Sequence, residues 1–197
     1  MSDELFTAIL PEGGLRAILA TTTTLSRGAR DQHHVAPAAA DLFARTLTSG
    51  LLLASLQKEA TRVNLQLVCD GPLRGVFVDA SSDGAVRGYP QNPLANVDGP
   101  PGPFRWRPLL GNTGQLSVLR DAGQGEFYRS SIQLHAFDPA MDLQHFFAAS
   151  EQVPTEVWLE VLPSGDERLG RVGGVAGPGV GIRQVEREYA AVGMPPD

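Results

Sequence analysis

Between Ala38 and Gln57 the chain reads as one helix on propensity, and the second half of that helix has apolar or small residues on nearly every side. A helix that is apolar all round has to be covered all round. Pro37 at the first turn suits a helix start. The stretch is close to the roughly 20 residues that a bilayer span requires, but Asp41 and Arg45 within it argue against spanning. The expectation is therefore a central buried helix, about 38–57, with β-layers packed around it: an α+β fold.

The flanking segments supply strands for those layers. Leu15 to Leu25, which contains four successive threonines, reads as a strand because β-branched side chains disfavour helix. Ser26 to His34 reads as a turn or short helix. Val63–Cys69 and Arg74–Ala80 flank the turn sequence Asp70-Gly71-Pro72-Leu73, and Ala85–Tyr89 follows across Ser81-Ser82-Asp83-Gly84. Gln91–Pro108 carries five prolines and two glycines and reads as an extended loop. Gln115–Arg120 and Glu126–Leu134 form a further hairpin. Asp138-Pro139 is a helix start, with Leu143, Phe146, Phe147 and Ser150 on one stripe. Thr155–Leu162 reads as a strand with Leu169–Val175 as its partner. Gly173 to Gly181 reads as a flexible or tightly turning segment, and Gln184 to Ala191 as a short terminal helix. The expected organisation is one core domain over 1–176 followed by a glycine-rich turn and tail over 177–197.

Charge and cysteine content exclude several function classes. Twenty-two acidic residues against 16 basic ones give a net charge of −6, and Lys58 is the single lysine. Without clustered cations neither nucleic acid nor an anionic membrane surface is an expected partner. The start Met1-Ser2-Asp3-Glu4-Leu5-Phe6 lacks a signal pattern, so a cytoplasmic protein is expected. The single cysteine, Cys69, ends an alternating strand, where an unpaired thiol behaves as a small buried hydrophobe. It can form neither an internal disulfide nor a cysteine-rich zinc site.

No constellation of catalytic residues stands out, and the expectation is that this is not an enzyme. His33 and His34 are adjacent and so diverge; with Asp31 they are the nearest approach to a metal site, and no metal is expected there. His135 and His145 have no partner at ligand spacing. Asp138 is a capping residue by position, which argues against an acid pair with Asp142. Ser150 next to Glu151 is not a nucleophile elbow, and the glycines near Asn112 and at 173–181 lack the lysine of a phosphate loop. The apolar candidates are Phe104 and Trp106, in the proline-rich loop beside Leu109 and Leu110; a tryptophan in such a loop reads first as docked on the core, and otherwise as a contact surface for another protein.

Several short motifs occur in the order seen in one family. Lys58 ends the buried helix. Leu65-Gln66-Leu67 with Asp70-Gly71-Pro72 comes next, then Val86-Arg87-Gly88-Tyr89. Leu110-Gly111-Asn112 with Gly114-Gln115-Leu116 follows, then Tyr128. The strongest is Phe146-Phe147-Ala148-Ala149-Ser150-Glu151-Gln152-Val153-Pro154-Thr155, and Gly173-Gly174 closes the series. From residue 15 to about 176 the chain resembles the heat-shock-protein-33 family of redox-regulated holdase chaperones. The resemblance implies a core with a central helix between β-layers and ATP-independent binding of unfolding proteins. It also implies dimerisation when active, in some members through exchange of a terminal segment. On this basis Phe104, Trp106, Leu109 and Leu110 are the expected client-binding residues. Members of the family continue into a module whose C-x-C and C-x-x-C cysteines hold zinc until peroxide oxidises them. None of those four cysteines is present, so neither zinc nor the redox switch is expected of these residues. The other expected reading is a partner-specific regulatory or adaptor module built on the same core.

Overall fold

The computed structural model describes residues 2–10, 15–57, 61–97, 106–121, 127–161 and 180–185. Strands β1 (Glu4–Leu10) and β2 (Leu15–Thr21) form an antiparallel hairpin, with Glu4 opposite Thr21. Helices α1 (Thr23–His33) and α2 (Pro37–Ser55) follow. A meander of β3 (Arg62–Cys69), β4 (Gly75–Ser81) and β5 (Val86–Pro90) comes next. Then come the short helical turn α3 (Arg107–Leu110), the hairpin β6 (Gly114–Asp121) and β7 (Phe127–Gln133), and α4 (Pro139–Phe146). A π-helical turn, Phe147–Glu151, extends α4 and leads to β8 (Thr155–Trp158); β9 is Val180–Val185. The strands make two antiparallel sheets, ordered β1-β2-β9-β8 and β5-β4-β3-β6-β7.

Helix α2 is the centre of this α+β fold. It packs on β3, β4 and β5 of the larger sheet and on β2 of the smaller, with α1 and α4 beside it. From Ala38 to Ala54 every residue but Arg45 is buried. Its hydroxyls are accommodated because Thr46, Thr48, Ser49 and Ser55 donate to the carbonyls four residues back. The helix also comes close to β4: a Cβ on Gly50 would lie 2.6 Å from Val78 Cγ1. A side chain there would push the helix off the sheet.

Both helices that follow the first hairpin are held at their ends by that hairpin. Asp3 accepts the backbone N–H groups of Thr24 and Leu25 at 2.8 and 2.7 Å, a capping role filled from outside α1. Arg16 of β2 donates to the carbonyls of Ser55 and Leu56, each at 2.9 Å, where α2 ends without a basic residue of its own. The four threonines are divided between these elements. Thr21 closes β2, and buried Thr22 meets Thr48 of α2 at 2.7 Å through their hydroxyls. Thr23 and Thr24 open α1, so the strand expected to reach Leu25 ends at Thr21 and the helix begins earlier than Ser26.

The later part of the chain departs further from expectation. The segment 91–108, read as loop, ends in helical structure from Arg107. Strand β8 stops at Trp158, short of Leu162. Its proposed partner, 169–175, lies outside the described residues, as do Lys58 and Phe104. The strand paired with β8 is β9, which includes Gly181, read as part of a turn, and Gln184, read as helical. Two flanking strands supply ladder hydrogen bonds on both edges of β9, and this outweighs the local bias of its glycine and glutamine. The smaller sheet thus takes in residues beyond 176.

Candidate functional site

Of the four residues expected to present a contact surface, three lie in the core. Trp106, Leu109 and Leu110 are buried, because α3 docks beneath the β3–β4 turn. Gly71 and Leu73 donate their N–H groups to the carbonyls of Leu110 and Leu109, each at 3.1 Å. Asp70 Oδ1 accepts from the N–H groups of Asn112 and Thr113 at 2.8 and 2.9 Å, and these bonds hold its carboxyl below the usual range. The motifs Asp70-Gly71-Pro72 and Leu110-Gly111-Asn112, 40 positions apart in the chain, are therefore two halves of one junction. A Cβ on Gly71 would strike the backbone of Leu109 to Gly111, which is why a residue without a side chain stands there. Trp106 completes the junction: its Nε1 donates to Asp138 at 3.2 Å and the Arg45 guanidinium lies 5.1 Å from its ring centre.

The apolar surface lies elsewhere, on strand β1. This strand occupies one end of the smaller sheet, so one edge carries no ladder partner among the described strands. Every residue from Glu4 to Ile9 is exposed, on both faces of the strand. Leu5 (40 % exposed) and Ile9 (64 %) point to one face and Phe6 (56 %) to the other. An edge strand with free N–H and C=O groups and large apolar side chains can take up an extended segment of another chain. Phe127 and Tyr128 expose a second apolar pair on β7, an edge of the larger sheet among the described strands. The signal that could have located β1 is the pattern Leu5-Phe6-Thr7-Ala8-Ile9, which carries apolar residues in both registers of a strand instead of one.

The polar residues weighed from sequence have structural tasks. Asp138 caps α4 by accepting from Ala140 and Met141, each at 3.0 Å. Buried Asp142 accepts three backbone N–H groups, from His135, Ala136 and Asp138. Glu151 of the Ser150-Glu151-Gln152 run pairs with Arg120 of β6 at 2.8 Å, tying the π-helical turn to the larger sheet. His33 packs its ring edge-on against Phe43. His135 and His145, which looked isolated in sequence, are neighbours with ring centres 5.7 Å apart.

Cys69 is buried at the end of β3, and burial pushes its thiol up, away from the thiolate a metal or an oxidant requires. Among the described residues no three histidine, cysteine or carboxylate side chains are placed to hold an ion. The residues present do not fit a four-cysteine zinc centre. No helix among the described residues is long and apolar enough to cross a membrane.

Comparison with known proteins agrees with this architecture. The family model described as Hsp33 protein matches residues 3–176. A 33 kDa chaperonin of Cyanothece sp. is 41 % identical over 165 residues, covering 82 % of this chain and 54 % of that protein. The 33 kDa chaperonin of Synechocystis sp. is 38 % identical over 168 residues, covering 84 % and 56 %. The crystal structure of the heat shock protein 33 homologue of Thermotoga maritima superposes with a TM-score of 0.80 at 27 % identity, over 92 % of this chain and 60 % of that one. The chain spans about half the length of the curated relatives it matches. On the family match and the shared fold, this chain belongs to the Hsp33 protein family.

Proposed function

We propose that this chain is an ATP-independent holdase that binds unfolding proteins in the cytoplasm, through apolar surface that needs no redox step to become available. The observation that carries the proposal is β1: a strand edge with no ladder partner among the described strands, with Leu5, Phe6 and Ile9 exposed on its two faces. Membership of a family whose relatives are named chaperonins supports the same reading. Constitutive binding is supported by the exposure of Leu5, Phe6 and Ile9, which are accessible without rearrangement of the described residues.

The test is aggregation of a thermally unfolded client, followed by light scattering at stoichiometric ratio, with and without peroxide. Equal suppression in both conditions is expected, and it should weaken when Leu5, Phe6 and Ile9 are replaced together by serine. Absence of suppression in both conditions overturns the chaperone reading. Suppression only after peroxide overturns constitutive binding. Capture of one dominant folded partner in place of many unfolded chains would favour an adaptor.

A further inference from the structure

We propose that His135 and His145 form a two-imidazole site for a divalent transition-metal ion, with Cu²⁺ preferred over Zn²⁺ and water completing the coordination. The site is separate from β1 and does not depend on the holdase reading.

The distances suit one shared ion. A metal held at about 2.0–2.1 Å from an imidazole nitrogen lies on the order of 3.2 Å from the ring centre. Two rings on a single ion are then about 4.5 Å apart at a right angle and about 6.4 Å apart when opposite, the limits for a tetragonal copper site. The observed separation is 5.7 Å with the ring planes inclined by 39°, which lies between those limits, so small rotations of two exposed rings bring both onto one ion. Both residues are exposed, so an ion can reach them without opening the fold.

The backbone on each side is already fixed. His145 stands on α4. His135 stands on the turn before it, which Asp142 of the same helix holds by accepting the N–H groups of His135 and Ala136 at 2.8 Å and of Asp138 at 3.0 Å. Phe137 in that turn has a left-handed backbone (φ 56°) and is buried with Arg107 4.1 Å above its ring, which anchors the turn from the far side. Ordering costs on binding are therefore confined to the two imidazole rings. Imidazole pairs favour borderline cations, and among the divalent first-row ions copper binds most tightly. Hard cations such as Mg²⁺ demand oxygen ligands and should not compete.

The experiment titrates the full chain with Cu²⁺, Zn²⁺ and Mg²⁺ by calorimetry, with electron paramagnetic resonance of the copper form. One Cu²⁺ per chain with nitrogen hyperfine structure is expected, with Zn²⁺ weaker and Mg²⁺ not binding. His135→Gln and His145→Gln should each weaken Cu²⁺ binding roughly tenfold or more. His33→Gln and His34→Gln should leave it unchanged. Melting of the metal-free variants should match the parent, because both rings are exposed. Copper affinity that survives either His135→Gln or His145→Gln, or that falls in the His33 or His34 variants instead, overturns the proposal. So does the absence of nitrogen coupling in the bound spectrum.

Discussion

Asp3 stands 21 positions ahead of Thr24, yet its carboxylate accepts the Thr24 N–H at 2.8 Å and so supplies the cap that α1 lacks locally. Arg16 does the converse at the far end of α2, donating to Ser55 and Leu56. One hairpin thus provides the anion for a helix start and the cation for a helix end, the arrangement each helix dipole favours. Asp3→Ala is expected to lower stability by about 1 kcal/mol. Arg16→Met, which also leaves two carbonyls without donors, should cost about 2 kcal/mol. Urea denaturation measures both, and an unchanged midpoint for Arg16→Met would refute the capping role.

Two helical glycines should respond in opposite directions to the same change. Nothing lies within 4 Å of a Cβ on exposed Gly28, so Gly28→Ala should stabilise α1 by up to about 1 kcal/mol. In Gly50→Ala the new methyl meets Val78 Cγ1 at 2.6 Å, and overpacking should outweigh the propensity gain, for a net loss of about 1–2 kcal/mol. Thermal melts of the two variants should move apart on either side of the parent.

The buried Asp41 carboxyl makes stability depend on pH. Burial pushes it up to about 6 from 3.8, with the charge of Asp138 adding to the rise and Arg45, 3.3 Å away, opposing it. Its second oxygen has no hydrogen-bond partner. The folded protein holds this proton more tightly than the unfolded chain does. The carboxyl's cost is therefore greatest above pH 6 and is relieved as pH falls from about 6 towards 4. Relative to Asp41→Asn, the parent should gain stability across that window by on the order of 3 kcal/mol. Parallel profiles for the two proteins would show that the charge is not what matters.

Cys69 should be inert in the native protein, because burial raises its thiol. Iodoacetamide is expected to label it only under denaturing conditions. Cys69→Ser should cost about 1 kcal/mol through the buried hydroxyl and leave any response to peroxide unaltered.

The legible parts of the fold are those whose cause is local. The β3–β4–β5 meander was readable because Asp70-Gly71-Pro72-Leu73 and Ser81-Ser82-Asp83-Gly84 announce their turns, and α4 because Asp138-Pro139 caps it within three residues. Helix α2 was readable because an all-round apolar surface has few resolutions. What escaped is set by partners distant in the chain. Val180–Val185 has glycine and glutamine in it and becomes a strand only between β2 and β8. Trp106 lies docked on the core, the first of its two readings, while the client-surface reading of Trp106, Leu109 and Leu110 fails because their burial depends on a β-turn more than 30 residues earlier. The approach of His135 to His145 goes with Asp142 holding the turn that precedes its own helix, a contact that spacing alone does not express. Strand β1 went unread, although its double apolar register stands in the sequence.

The insertion of β9 between β2 and β8 also sets a timetable for biosynthesis. The edge of β2 that β9 will occupy stays open until residues 180–185 have been made. At roughly 5–20 residues per second that interval is on the order of ten seconds after β2 itself emerges. The larger sheet has all its described strands by Gln133 and can close well before then. A nascent chain stalled before Val180 should protect the amides of β3 to β7 from exchange while those of β2 that face β9 remain labile. Until β9 arrives, this chain is itself a partly unfolded protein.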